Sequence, residues 1–278
     1  MAAPFLARRV WNRPPFRVDL VRCRACGFMF FNPRMTGEEE QRLYSGYRSD
    51  EYQKMRLSCE PWYTEAFNER LNSPEVWKTR KEKLADVFKR HFYEQPIASI
   101  LDFGGDRGDL IVDLVPGAER FVYDISRVEP LPGITSLHDL DACSARRFDL
   151  IVSSNVLEHV NYPRQFLGQI ADVAAPGKLV FIEVPYETPY SALNLAKRLA
   201  QNVILLAART GIGLRLMRPA AMIQMHEHVN FFNPRALEQL VRAMGWSMIS
   251  SGVYPLGIYR VGPLQIPSAR MAWCVART

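Results

Sequence analysis

Three groups of residues in this chain have the types and spacing to do chemistry. The first is Asp102-Phe103-Gly104-Gly105-Asp106-Arg107-Gly108, an acidic residue followed by a glycine-rich turn. The second is Asp124, about twenty residues on, closing the apolar run Phe121-Val122-Tyr123. The third is histidine with a neighbouring acid, at Glu158-His159 and again at His226-Glu227-His228. Glycine is needed where a turn is tight and a ligand must meet bare backbone. An acidic side chain at the end of the next strand can hold ribose hydroxyls. Together the first two imply a nucleoside-containing cofactor. Histidine titrates near neutral pH and suits removal of a proton from an acceptor.

These residues need a frame to hold them. Strands are expected at Ile97–Phe103, Arg120–Asp124, Gly133–Leu137, Phe148–Val152 and Lys178–Val184. Phe148-Asp149-Leu150-Ile151-Val152 is apolar on both faces, as a buried parallel strand should be. Helices are expected at Arg107–Leu114, Pro163–Ala174 and Pro234–Met244. The last two strands, Trp246–Val253 and Ala269–Val275, need no helix between them and can pair antiparallel. Strands alternating with helices make an α/β, Rossmann-like doubly wound sheet with ligands at the carboxyl ends of its strands. A small N-terminal β/α accessory segment precedes it. There Phe16–Val21 and Phe28–Phe31 flank Cys23-Arg24-Ala25-Cys26-Gly27, and Thr36-Gly37-Glu38-Glu39 opens a short helix. Ser73-Pro74-Glu75 is a further helix start. The expected division is 1–58 for the accessory segment and 59–278 for the main domain, with a helical cap inserted at 186–222.

Composition narrows the class. With 278 residues, 48% hydrophobic, the chain can bury a substantial core. No segment has the length of a membrane span, and Met1 to Phe16 has no signal-peptide core. Five irregularly spaced cysteines fit reduced thiols in a cytoplasm. The net charge of +6 concentrates in Arg8, Arg9, Arg13, Arg17, Arg22 and Arg24, and in Lys197, Arg198, Arg209, Arg215 and Arg218. These segments fit either an anionic acceptor such as a phosphorylated glycan, or a solvated basic face. The apolar stretch Leu193–Ala208 is too short to span a bilayer; it reads as a cap over the substrate cleft, a packed helix, or a peripheral membrane contact. Nucleic acid is not expected as a partner, because no recognition motif is present. The oligomeric state is left open.

Four stretches in order carry a family: Leu101–Gly108, Tyr123-Asp124-Ile125-Ser126, Phe148–Val160 and Pro176–Pro185. In this arrangement the chain resembles class I S-adenosylmethionine-dependent methyltransferases, across roughly residues 60–278. The resemblance implies a seven-stranded sheet with an antiparallel last strand. It implies S-adenosyl-L-methionine as cofactor, with Asp102 beneath the methionine part and Gly104, Gly105 and Gly108 allowing its approach. Asp124 would take the ribose, and Asp139, Leu140 and Asn155 complete the implied cofactor contacts. Asp106 replaces the family's middle glycine. It either pairs with the methionine ammonium or caps the first helix, and the cap is preferred here. A nicotinamide dehydrogenase is disfavoured, because Asp106 would repel a pyrophosphate.

The knuckle Leu20–Pro33 and the motif Met225–Phe232 narrow the resemblance to sugar and secondary-metabolite methyltransferases. Members of that group carry a second cysteine pair that binds zinc. It is missing here, and two thiolates do not complete a tetrahedral site, so no metal is expected. In the resembling sugar enzymes a Glu-His pair at the second histidine position does acid–base work. That makes Glu227 and His228 the first candidates and His159 the second, with His226 read as a surface histidine. The expected function is methyl transfer to oxygen or carbon of a small or glycan-linked acceptor, a sugar in polysaccharide, glycolipid or natural-product biosynthesis. The alternative is a non-catalytic cofactor-binding or scaffolding partner.

Overall fold

The computed structural model describes the chain apart from residues 48, 62, 65–72, 93–94, 192–194, 197–198, 201–202, 204–222, 262–263 and 268. Most of the cap expected at 186–222 therefore lies outside the described residues. Contacts divide the chain into two units: Met1–Arg22, Met29–Asn72 and Thr188–Phe231 form the first, and Cys23–Phe28, Ser73–Glu187 and Phe232–Thr278 the second.

The second unit is built on a seven-stranded sheet. Its strands are β3 (Ser99–Phe103), β4 (Glu119–Tyr123), β5 (Thr135–Leu137), β6 (Phe148–Ser154), β7 (Ala174–Pro185), β9 (Ser247–Pro255) and β12 (Arg270–Arg277), in the order β5-β4-β3-β6-β7-β12-β9. The first five run parallel, with Leu101 opposite Phe121 and Ile151, and Val152 opposite Phe181. β12 is antiparallel to both neighbours, as expected. Between β9 and β12 the chain adds a two-stranded hairpin, β10 (Ile258–Val261) with β11 (Leu264–Pro267).

Side chains alternate faces along a strand, and that alternation sorts the core. Leu101, Phe103, Ile151, Val180 and Ile182 point to one face, with Leu167 and Ile170 of α6 (Pro163–Val173) and Leu237 and Val241 of α7 (Pro234–Ala243). Ile100, Val122, Leu150, Val152 and Phe181 point to the other, with Leu84 and Val87 of α4 (Pro74–Phe92). Each such buried side chain contributes about 1.5–3 kcal/mol. Both faces are covered, which is why β3 and β6 read as continuous apolar runs.

One expected helix is not there. Residues 106–116 form successive turns, with Gly108 N–H on the Gly105 carbonyl (2.8 Å), Ile111 on Gly108 (3.1 Å) and Leu114 on Ile111 (3.2 Å). Asp106 and Gly108 have φ of +55° and +80°, outside the right-handed helical region, so an α-helix cannot start through them. Asp106 consequently caps no helix.

In the first unit, a helix the sequence reading did not anticipate, α1 (Pro4–Trp11), buries Phe5, Leu6 and Val10 and has proline in its first turn. β1 (Asp19–Arg22) and β2 (Met29–Asn32) pair antiparallel, with Leu20 opposite Phe31, and the short β8 (Asn230–Phe231) adds to β2. α2 (Gly37–Tyr44) starts as expected: Thr36 and Glu39 form a reciprocal capping box. α3 (Asp50–Cys59) follows, opened by the Ser49 hydroxyl. The core of this unit gathers Phe5, Leu6, Val10, Phe31, Leu43, Tyr52, Met225 and Phe231. Among the described residues no helix is long and apolar enough to cross a membrane.

Candidate functional site

The carboxyl ends of β3, β4 and β6 present the cofactor candidates of the second unit. Asp102 is the fourth residue of β3 and only 1% exposed. Burial pushes its carboxyl up to about 8; Arg80 opposes this, while Asp124, Asp109 and Asp106 add to it. Neither carboxylate oxygen of Asp102 has a hydrogen-bond partner among the described residues. A buried acid in that state is uncommon and calls for a donor or a cation. The Cα of Gly105 lies against it, and a Cβ there would collide with the Asp102 carboxyl. At Gly104 a Cβ would strike Val156, and at Gly108 it would strike Ile134. These three positions are glycine because their surroundings leave no room for a side chain.

Asp124 directly follows β4 with its carboxylate fixed. Oδ2 accepts the Asp106 N–H at 2.9 Å and Oδ1 the Ser126 N–H at 2.7 Å. A carboxylate has about four lone-pair sites, so two remain for a pair of hydroxyls. Asp139 caps α5 (Leu140–Ser144) by accepting the Ala142 N–H at 2.7 Å, and Leu140 packs partly into the core. Asn155 follows β6 with φ +59° and its N–H on the Glu183 carbonyl at 3.0 Å. Its side-chain oxygen is buried without a hydrogen-bond partner among the described residues. His159 lies in the next turn, its N–H on the Val156 carbonyl and Nε2 3.7 Å from the buried Glu158. The unsatisfied Asp102 and Asn155 oxygens, and a ribose-competent Asp124, fit a cationic nucleoside cofactor such as S-adenosylmethionine.

Sequence reasoning missed a buried network in this unit. Arg80 of α4 donates from Nε to Glu183 at 3.2 Å and from a terminal nitrogen to the Ser154 hydroxyl at 2.6 Å. The Ser154 hydroxyl donates to Glu183 at 2.6 Å, and the Tyr254 hydroxyl donates to the other Glu183 oxygen. Burial, then Glu183, raises the Tyr254 phenol, which keeps it a donor. The available signal was Glu183 itself, a charge inside the apolar run Leu179–Val184, where an unpaired charge is rarely tolerated.

The His-Glu-His motif lies in the first unit. The Glu227 carboxylate accepts from the Tyr52 hydroxyl at 3.1 Å and is ion-paired to Arg56. Arg56, 5% exposed, also pairs with Glu60 at 3.1 Å. His226 Nδ1 lies 3.2 Å from Glu60, which is 1% exposed. His226 is therefore half-buried beside a buried carboxylate rather than a surface histidine. Burial pushes the Glu60 carboxyl up, but His226 and Arg56 more than offset it and hold it low. For Arg56 burial opposes the charge, and Glu227 and Glu60 override it. Glu227, Arg56 and Glu60 alternate in sign, and His226 adjoins the last of them. Tyr44, Tyr47 and Tyr52 pack edge to face beside it. His228 is half-buried in the same segment.

The knuckle Cys23–Phe28 belongs to the second unit. Cys23 and Cys26 are free and half-buried. Backbone N–H groups of Cys26 and Ala25 aim at the Cys23 sulfur and lower its thiol. The Asn233 amide donates to the Cys26 carbonyl at 3.0 Å, and Phe28 packs on Phe232 at 4.7 Å.

Comparison with known proteins supplies the remaining step. The structure is similar to a Burkholderia thailandensis 1,6-didemethyltoxoflavin-N1-methyltransferase with bound 1,6-didemethyltoxoflavin and S-adenosylhomocysteine, at TM-score 0.52 and 14% identity over 95% of this chain and 96% of that one. It is also similar to the plantazolicin methyltransferase BpumL in complex with a triazolic desmethylPZN analog and S-adenosylhomocysteine, at TM-score 0.50 and 13% identity over 86% and 95% of the two chains. At such identities the likeness is one of fold. No curated protein matches the sequence. The model of a family described as a methyltransferase domain matches residues 76–251, well over half of the chain. The chain therefore belongs to the methyltransferase-domain family of S-adenosylmethionine-dependent enzymes.

Proposed function

We propose that the chain transfers a methyl group from S-adenosylmethionine to oxygen or carbon of a small or glycan-linked acceptor, a sugar or a related natural product. The observation that carries the cofactor half is the buried Asp102 carboxyl, without a partner among the described residues, beside the side-chain-free Gly104-Gly105 turn. S-Adenosylmethionine, when bound, would supply an electrophilic methyl on its sulfonium, with the thioether S-adenosylhomocysteine as the leaving group. Asp102 and Asn155 receive its methionine part, Asp124 its ribose, and Asp139 and Leu140 border its base. The Gly104, Gly105 and Gly108 backbone lets it approach.

The protein's other task is to orient the acceptor and take its proton. His228 is the base we assign first and His159 the second. Glu227 is ion-paired to Arg56 and accepts from Tyr52, so its part is to hold an acceptor hydroxyl or a neighbouring imidazole as a fixed anion. The acceptor class rests on the likeness of Leu20–Pro33 and Met225–Phe232 to sugar and secondary-metabolite methyltransferases, and on the basic segments.

The test is calorimetric titration with S-adenosylmethionine and S-adenosylhomocysteine, with Asp124→Ala as control. Binding weakened at least tenfold in the variant supports the cofactor site. Equal affinity in the variant refutes the ribose assignment. Release of S-adenosylhomocysteine is then followed across nucleotide-sugars and phosphorylated glycans. Turnover retained in full by His228→Ala refutes the choice of base.

A further inference from the structure

The arginines of the N-terminal arm enter the reading above only as a basic segment, yet one of them, Arg13, lines a groove together with Arg34. Within the first unit an open groove of about 410 Å³ is bounded by Trp11, Arg13, Phe16, Pro33, Arg34 and Glu39. That volume lies within the range of about 300–1,000 Å³ usual for small-ligand sites. Its wall is held in place. The Trp11 indole N–H donates to Glu39 Oε1 at 2.7 Å, and Glu39 Oε2 accepts the Thr36 N–H at 2.9 Å. The groove's one carboxylate is thus engaged by two donors. Trp11 and Phe16 meet edge to face, centroids 4.9 Å apart. The Arg13 guanidinium lies 3.5 Å above the Phe16 ring, and that of Arg34 4.6 Å from the Phe30 ring.

Two guanidinium groups around an aromatic wall make a site for a planar ring that carries negative charge. Guanidinium recognises phosphate oxygens in a bidentate fork, and aromatic side chains stack on bases irrespective of sequence. We propose that this groove binds a nucleoside diphosphate, its base against Trp11 and Phe16 and its phosphates on Arg13 and Arg34. Free phosphate alone would leave the aromatic wall unused. A single-stranded nucleic acid needs a basic track of several nucleotides, which this groove does not offer. The inference deepens the acceptor reading, resting on its nucleotide-sugar half, and is independent of the cofactor site of the second unit; its test reads binding, so it can fail while methyl transfer to another acceptor stands.

The experiment titrates the full chain with uridine diphosphate, adenosine diphosphate, uridine and pyrophosphate, with S-adenosylhomocysteine saturating throughout. Saturation keeps the nucleotides out of the cofactor site, and Asp124→Ala run in parallel checks that it does. Saturable binding of both diphosphates is expected, weaker for uridine and for pyrophosphate. Arg13→Gln and Arg34→Gln are each expected to weaken it about tenfold, the loss of one charge-assisted contact. Arg13 is exposed, so its variant leaves the core untouched, and Arg24→Gln serves as a control on the same arm. The proposal fails if neither diphosphate binds, if Asp124→Ala abolishes the binding, or if Arg24→Gln weakens it as much as Arg13→Gln. It fails equally if pyrophosphate binds as tightly as the nucleotides, or if a ten-residue oligouridylate displaces them at far lower concentration.

Discussion

Replacing Asp102 with asparagine is expected to make the ligand-free protein more stable while weakening its hold on the cofactor. The carboxyl ionises near 3.8 in the unfolded chain and near 8 in the fold. Between those values the native state holds a proton that the unfolded chain has lost, so stability falls as pH rises, by about 1.4 kcal/mol per pH unit. At pH 7 the accumulated cost is about 4 kcal/mol. An asparagine amide avoids that cost but is buried unpaired itself, which takes back about 1–3 kcal/mol. The net gain is about 1–3 kcal/mol at pH 7, or roughly 3–10 °C in Tm for a chain of this size. It grows towards pH 8 and vanishes near pH 5, only about one unit above the unfolded value, where the accumulated cost of about 1.6 kcal/mol no longer exceeds that of the buried amide. The assay is thermal unfolding of wild type and Asp102→Asn at pH 5, 6, 7 and 8, with titration of S-adenosylmethionine alongside. Affinity is expected to drop at least tenfold, because the carboxyl can give up its proton when a cation binds beside it, whereas an amide stays neutral. A variant less stable than wild type by the same margin at every pH would refute the reasoning. So would unchanged affinity.

Other expectations follow from the same geometry. Gly105→Ala drives a methyl into the Asp102 carboxyl, so it should lower stability by about 1–3 kcal/mol and abolish S-adenosylhomocysteine binding, read by calorimetry. Arg80→Met leaves Glu183 buried without its cation and should cost about 3–5 kcal/mol, whereas Tyr254→Phe should cost about 1.5–3 kcal/mol. Denaturant midpoints of the single and double variants should be non-additive, because both partners act on one carboxylate. Glu60 is held below its ordinary range, so its stabilising contribution is present above pH 4.5 and lost as pH falls through its native value. Glu60→Gln should therefore lower the urea midpoint at pH 7 and narrow its difference from wild type at pH 4.

The sheet and its glycine turn were legible because their causes are local. An apolar run, an acidic end and glycines that clear space read the same in any chain, and β3, β4 and β6 fall where those patterns place them. The position of Asp124 was legible for the same reason, since it follows an apolar strand directly; that its carboxylate holds the Asp106 and Ser126 N–H groups was not. The helix expected after the turn failed on two backbone angles, at Asp106 and Gly108, which composition does not reveal. α1 was missed because eight residues carry little helical signal, and its stability comes from packing Phe5, Leu6 and Val10 into a core made elsewhere in the chain.

The sequence by itself determined the glycine-rich turn at Asp102–Gly108 and the acidic residue Asp124 just past the next strand, the two places where the cofactor is proposed to bind. Only the tertiary structure decided how the charges pair. Arg80 meets Glu183 across 103 residues and Arg56 meets Glu227 across 171. No spacing rule reaches that far. Such pairs exist because burying a charge is affordable only beside its opposite, and the fold alone determines which opposite that is.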